Sequence, residues 1–428
     1  MDYFPRQAVD LILSKIKHDP VIVLTGSRQT GKTTLCDSLL PGRMKLPHTY
    51  ITFDDPDERL RFQSAGIGAL ESITTPLVVI DEAQKMPSLF DPLKYVVDKQ
   101  RRTKNAPRQV FLLTGSSQMV LLKKITESLA GRAALVNLFP LSLSEVLRRE
   151  TAPFLSKIWQ AGRITKKDVD SVSALSPERV RAAVHARNEH QAWGGYPAVW
   201  QRSEKAAKLS WLKDYRKTYV ERDISDVGQV ANIDTFAMAQ KLLCARTAQL
   251  LSISEVARDL SLAVNTVKRY VSLLSMTFQC HLVRPYHENI GKRFVKSPKI
   301  YFPDPGVNRA ILGDVGTGVG AAYESWVFSE TLKWSHIQSI EPELYFYRTS
   351  GGMEVDFLLS GEGRMLPIEV KASQKVTPAD GRHVETFLLE HRKTSPLGLV
   401  VYPGPALIEI RKNVWAIPDW LLFSGLQE

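Results

Sequence analysis

The sequence predicts an α/β protein with three parts: a parallel-sheet core at the amino end, a helical and winged-helix middle, and a second α/β module at the carboxyl end. Three observations predict it. Short apolar runs alternate with helix-compatible stretches over the first 150 residues. A basic tract over 253–299 has the spacing of two short helices followed by a β-wing. Two alternating strands flank a Ser-Gly-Glu-Gly turn at 360–363. A chain of 428 residues holds several domains, and the expected segments are 1–150, 151–235, 236–299 and 300–428.

The first part is set by Gly26-Ser27-Arg28-Gln29-Thr30-Gly31-Lys32-Thr33, a complete G-x-x-x-x-G-K-[ST] phosphate loop. It follows the apolar strand Val21–Leu24 and opens a helical stretch at Thr34, the setting the motif requires. Glycines let backbone N–H groups converge on a phosphate, and the helix amino terminus adds positive potential. Lys32 would reach the β- and γ-phosphates of ATP, and Thr33 would join Asp81 on Mg2+. Asp81 and Glu82 end the buried-type strand Leu77–Ile80, where Glu82 is placed to polarise the attacking water. The next strand, Val110–Leu113, ends in Thr114 and Ser116, either of which can sense the γ-phosphate. Arg132 is the candidate for stabilising charge on the transferring phosphate, in cis or from a neighbouring subunit. This order of motifs, with the Pro140-Leu141-Ser142 turn after it, resembles the prokaryotic AAA+-like ATPases of archaeal type. The resemblance implies ATP hydrolysis with ATP and Mg2+, and a homo-oligomer in which a ring is possible.

The middle is polar and mixed over 151–190, as expected of an insertion or linker. Beyond the Gly194-Gly195-Tyr196-Pro197 turn, Trp211–Ile224 has helical spacing, and Arg222 faces two readings, a nucleotide contact or an ion pair with Asp223 or Asp226. Residues 253–283 read as a helix-turn-helix. In the second helix Val267, Tyr270, Val271 and Leu274 recur at i, i+3, i+4, i+7 and belong to the core. That leaves Asn265, Thr266, Lys268, Arg269 and Ser272 outward for DNA. Lys292, Arg293, Lys296 and Lys299 form a basic wing that can meet phosphates. The alternative is a winged helix that only packs.

At the carboxyl end Glu354 and Asp356 share one strand face, as do Glu369 and Lys371 on the next strand. A hairpin brings Asp356 beside Glu369, a pair able to chelate Mg2+, with Lys371 orienting water and Glu324 joining from a helix. This resembles the PD-(D/E)xK restriction-endonuclease-like core. The alternatives are an acid–lysine cluster that is only structural, or a DNA clamp that never hydrolyses.

Bulk properties bound these readings. Hydrophobic content of 44% and charged content of 24% are those of a globular chain. No apolar run reaches the ~18–20 residues of a membrane span, and the amino terminus does not read as a signal peptide. Cys36, Cys244 and Cys280 are too scattered for a disulfide framework or a metal knuckle, so the cytoplasm is the expected compartment and no membrane partner is expected. Net charge is +5 over 1–150, +11 over 151–300 and −5 over 301–428, so the middle is the expected nucleic-acid face.

Taken together, the three parts resemble the widespread prokaryotic ATPases that carry a C-terminal domain of unknown function. The resemblance implies an ATP-driven motor or remodeler of structured DNA with a nuclease-type domain. A nucleotide-switched DNA-binding regulator with slow turnover and an inactive nuclease fold is the alternative, and a protein-remodelling ATPase is the third reading. Lys32→Ala is expected to abolish binding of a fluorescent ATP analogue. Glu82→Gln is expected to bind it normally while hydrolysis falls by about 100-fold or more.

Overall fold

The computed structural model describes residues 3–103, 108–115, 125–150, 153–226, 232–287, 296–313 and 316–426, the side chains of 219–226 excepted. The chain divides into two compact units, 1–140 and 141–428.

In the first unit five strands form a sheet in the order β2-β3-β4-β1-β5: β1 (Val21–Thr25), β2 (His48–Thr52), β3 (Leu77–Asp81), β4 (Val110–Thr114) and β5 (Ala133–Asn137). Every described pairing among them is parallel. β1, β3 and β4 are buried along their whole length, because helices cover both faces and each face needs an apolar layer. One core lies on the side of Phe62, Leu70, Phe90 and Leu93, and the other on the side of Ile12, Leu35, Cys36 and Leu40. Parallel strands place all carboxyl ends on one edge, where the crevice of an open α/β sheet lies. Thr25, Asp81 and Thr114 end their strands on that edge.

The phosphate loop leaves β1 there and enters a helical run that begins at Lys32–Thr34, widens to a π-helix over Leu35–Leu39 and closes as Leu40–Met44. Gly26 has φ of 147°, and a Cβ at that position would lie 2.2 Å from the Leu138 carbonyl oxygen. Only glycine lets the loop pass so close to the chain leaving β5.

The second unit is built on a nine-stranded sheet, among the described residues, ordered β13-β14-β12-β11-β10-β9-β7-β8-β6. β6 (Gln249–Leu250), β7 (His281–Pro285) and β8 (Lys299–Tyr301) pair antiparallel beside the helices Ile233–Ala245, Ile253–Asp259 and Val264–Met276. β9 (Glu343–Arg348) pairs with β7 in parallel, which joins these helices and strands to the rest of the sheet. The carboxyl part runs helix Val319–Ser335, β9, β10 (Glu354–Gly361), β11 (Arg364–Val370), helix Arg382–Glu390, β12 (Gly398–Tyr402). Antiparallel pairs join β9 to β10 and β10 to β11, and β12 returns parallel to β11. β13 (Ile408–Arg411) and β14 (Val414–Pro418) complete the sheet.

Helix Val319–Ser335 is buried continuously from Ser325 to Ser335, so its polar groups require internal partners. Glu330 accepts from the Leu143 amide at 2.8 Å and pairs with Lys333, whose ammonium also donates to the Leu141 carbonyl at 3.0 Å. His190 accepts at Nδ1 from the Trp326 indole at 2.9 Å, and burial holds its imidazole down to about 4.

The stretch 151–190, expected as an insertion or linker, is instead integral to this unit. It forms helices Phe154–Ala161 and Lys166–Ser173 and most of Pro177–Trp193. Trp334 donates to Ser156 Oγ at 2.8 Å, and the buried pair Arg187–Asp419 closes at 2.6 Å. Its polar residues lie among buried anchors (Phe154, Leu155, Ile158, Trp159), so composition hides the packing.

Gly26→Ala is expected to remove about 3 kcal/mol or more of stability from the first unit and to abolish nucleotide binding. Denaturant unfolding with and without an ATP analogue checks this, because a binding-competent variant would still be stabilised by the ligand.

Candidate functional site

Three clusters of predicted residues can be followed into the structure. At the carboxyl edge of the first sheet Lys32 is buried, and its ammonium donates to the carbonyls of Gly26 (2.9 Å) and Ser27 (2.8 Å). Gln29 and Gly31 take positive φ, the curl that a phosphate-cradling loop needs. Thr30 Oγ1 donates to the Ser27 carbonyl at 2.9 Å. Thr33 Oγ1 donates to Asp81 Oδ2 at 3.0 Å, so the two predicted Mg2+ ligands meet. A hydroxyl beside a carboxylate is a hard oxygen donor set that suits Mg2+. Arg28 within the loop and Thr34 just after it are both partly buried.

Sequence reasoning missed two supports of this site. The Tyr50 hydroxyl on β2 donates to Asp81 Oδ2 at 2.7 Å, and burial and that carboxylate raise the phenol well above its ordinary value. Arg6 is buried and donates to the carbonyls of Thr30 and Phe139, both at 2.6 Å, bracing the loop against the segment after β5. An isolated arginine ahead of an amphipathic helix gives no periodic signal. Tyr50 was findable only through the neighbour relation of β2 and β3.

Glu82 is left-handed at φ 53°, ψ 39°, an uncommon state for a residue with a Cβ. It turns the chain straight after Asp81, and its carboxylate accepts from Gln84 Nε2. Thr114 is fully buried at the end of β4, and its hydroxyl has no hydrogen-bond partner among the described residues. Ser116 lies outside the described residues.

Arg132 does not fit the cis role expected of it. It precedes β5, whose Ala133 pairs with Val21 at the start of β1, so it stands at the amino edge of the sheet, opposite the loop. Both Asp98 oxygens hold its guanidinium, at 2.7 and 2.9 Å. The sequence placed it beside a motif, but strand direction carries it to the far end.

On the helix-turn-helix, Val267, Tyr270, Val271 and Leu274 are buried as expected. Asn265, Lys268, Arg269 and Ser272 are exposed and Thr266 is partly so. Lys296 is exposed, whereas Lys292 and Arg293 lie outside the described residues, as does the side chain of Arg222.

Lys299 overturns its expected place in the basic wing. It is buried on β8, with Nζ on Glu354, Glu324 and Asp356 at 2.6, 3.4 and 3.6 Å. Burial favours the neutral amine, but Glu324, Asp356 and Glu354 outweigh it and hold the ammonium above the usual lysine range. The period-two spacing of Lys299 and Tyr301 was the available signal, because the Tyr301 hydroxyl donates to Glu324 at 2.6 Å on the same side.

Glu324, Asp356, Glu369 and Lys371 do converge. The β10–β11 register sets Phe357 opposite Ile368, which brings Asp356 across from Glu369. Asp356 Oδ2 accepts from the Val370 amide at 2.9 Å, and Lys371 Nζ donates to Glu369 Oε1 at 2.7 Å. Burial and the Asp356 charge push Glu369 up to about 8, and the same two causes push Glu324 up to about 7. Asp356 is itself raised by burial, against the pull of Lys299. No group of three or more His, Cys, Asp or Glu among the described residues is arranged to hold a metal ion. The expected Mg2+ ligation by Asp356 and Glu369 therefore has no such cluster behind it.

Comparison with known proteins agrees with the first of these sites. Residues 18–147 match the family model described as AAA domain. Together with the loop geometry and the parallel sheet, this makes the amino-terminal unit an AAA+-like P-loop ATPase domain that binds and hydrolyses ATP. Residues 185–317 and 319–422 match two models each described as a domain of unknown function, DUF8612 and DUF4143. The chain is 29% identical over 430 residues to uncharacterized protein Rv2008c of Mycobacterium tuberculosis, covering 98% of this chain and 85% of that one. It is 23% identical over 365 residues to uncharacterized protein MJ1544 of Methanocaldococcus jannaschii, covering 84% and 75%. Among solved structures, the Walker-type ATPase PABY2304 of Pyrococcus abyssi aligns at 15% identity and a TM-score of 0.44, over 72% of this chain and 96% of that one. No described helix is long and apolar enough to cross a membrane.

The raised carboxyls make the second unit pH-sensitive with a defined sign. Glu324 and Glu369 keep protons in the folded chain where the unfolded chain, near ~4.3, has released them. Their contribution to stability is therefore full at acid pH and is lost as pH rises through about 7 and about 8. All 8 tryptophans lie beyond residue 140, so their fluorescence reports this unit alone. Between about pH 5 and about pH 9 the urea midpoint is expected to fall, and Glu369→Gln is expected to reduce that fall by more than about 1 kcal/mol equivalent.

Proposed function

We propose that this protein couples ATP hydrolysis in its first unit to DNA held by the exposed face of helix Val264–Met276. One observation carries the reading: the helix buries Val267, Tyr270, Val271 and Leu274 and leaves Asn265, Lys268, Arg269 and Ser272 exposed. Two cations beside an amide and a hydroxyl are the residue types that meet DNA phosphates and base edges. The net charge of +11 over 151–300 supports the same face.

At the nucleotide site Lys32 would contact the β- and γ-phosphates, and Thr33 and Asp81 would hold Mg2+. The ion supplies neutralisation of charge on the phosphates when bound. Tyr50 fixes the Asp81 carboxylate for that task by its hydrogen bond to Oδ2. Glu82 polarises the attacking water, and Thr114, with its unpartnered hydroxyl at the carboxyl edge, is the sensor of the γ-phosphate. An arginine delivered by a neighbouring copy would complete the charge on the transferring phosphate, and this is the reason to expect a homo-oligomer, ring-shaped or otherwise.

Two forms of the reading differ in turnover. A motor or remodeler hydrolyses ATP quickly on structured DNA. A nucleotide-switched DNA-binding regulator turns over slowly, and the contact of Gln84 with the Glu82 carboxylate favours it, because a restrained base is a slower one. The succession of helix, three antiparallel strands, helix and parallel strand in the carboxyl part supports a restriction-endonuclease-like role in holding DNA. Metal-dependent cutting is a further step, and two of the acids it would need, Glu324 and Asp356, are already paired with Lys299.

ATPase rate with and without four-way-junction DNA separates the two forms, since strong stimulation marks the motor. The double variant Lys268→Ala/Arg269→Ala is expected to weaken DNA binding by about 10–100-fold and to lower the salt slope of log K by about 2. Its DNA-free ATPase rate should be unchanged. Wild-type affinity in the double variant would remove the helix from the interface.

A further inference from the structure

We propose that Lys299 is the resident cation of the carboxylate cluster made by Glu324, Glu354 and Asp356, standing where a divalent metal would sit, so that the carboxyl-terminal sheet is a module that does not cut nucleic acid. This goes beyond the ATP and DNA reading and depends on neither.

The placement is geometric. Three carboxylates from two elements, helix Val319–Ser335 and β10, reach one ammonium at 2.6, 3.4 and 3.6 Å. These separations are hydrogen-bonding and ion-pairing distances around Nζ. The ammonium therefore fills the point on which a metal would have to draw its oxygen ligands. The lysine has little freedom to leave. It is 4% exposed, its strand is paired on both sides by β6 and β7, and Nζ lies 5.6 Å above the Phe346 ring. Tyr301 adds a second donor to Glu324 from the same strand at 2.6 Å.

The remaining members of the signature are partly engaged. Glu369 has Oε1 on Lys371 at 2.7 Å while its buried Oε2 has no hydrogen-bond partner among the described residues, and Asp356 Oδ2 accepts from the Val370 amide at 2.9 Å. Lys299 and Lys371 stand among the four carboxyl groups and offset part of their charge, as buried carboxylates require. A divalent ion could enter only by expelling Lys299 into an apolar surround. The acids and the Glu-x-Lys step thus form a lysine-bridged structural knot.

The test uses the full chain without nucleotide and reads Mn2+ binding by electron paramagnetic resonance. Wild type and Asp356→Asn are expected to bind Mn2+ indistinguishably, because the cluster takes none in either. Lys299→Ala is expected to gain one Mn2+ per chain, at least about tenfold tighter than any wild-type site, and Lys299→Ala/Asp356→Asn should lose that gain. Weaker Mn2+ binding by Asp356→Asn than by wild type would overturn the proposal, since the cluster would then hold metal with its lysine in place. A folded Lys299→Ala with no added Mn2+ would overturn it as well. If Lys299→Ala does not fold, the comparison of wild type with Asp356→Asn decides alone, and Lys299→Arg, which restores a cation, is expected to fold and to bind no more Mn2+ than wild type.

Discussion

The hydrogen bond from Thr33 to Asp81 spans the end of a strand that belongs to neither residue. Thr33 follows β1, Asp81 ends β3, and β4 lies between those strands in the sheet. The contact exists because the strands run the same way, so their carboxyl ends share one edge. Reversing any of these strands would separate Lys32, Thr33, Asp81 and Glu82. The apolar burial of β1, β3 and β4, the close passage of Gly26 under Leu138 and the Arg6 brace all serve this arrangement.

The strongly periodic or sterically specific features were legible in the chain. The phosphate loop and the strand ending in Asp81 and Glu82 could be read because each residue type there answers a local demand: glycine for the curl, lysine for the phosphates, acids after a buried run. The second helix of the helix-turn-helix was equally plain, since its core positions recur at helical spacing and the structure buries each of them. The meeting of Asp356 with Glu369 followed from a two-residue period and a short turn.

What the sequence concealed was non-local. Arg132 lies within a few residues of a motif along the chain but at the wrong end of its strand, and only the β1–β5 register reveals that. Lys299 looked like one of several basic wing residues. It is buried on β8 whereas Lys296 is exposed, and its partners lie 25 to 57 residues further on. Residues 151–190 looked like a linker because polar residues outnumber the few large apolar ones that anchor the helices. Tyr50 acts through a neighbouring strand, and pairing partners across a parallel sheet leave no spacing in the chain.

The parallel pairing of β7 with β9 has a mechanical meaning. A helical module tethered by a single pliant segment can swivel on it. Here the helix-turn-helix shares a continuous hydrogen-bonded lattice with the strands that bear the acids. A load on helix Val264–Met276 therefore has a hydrogen-bonded path through β7 into β9 and β10.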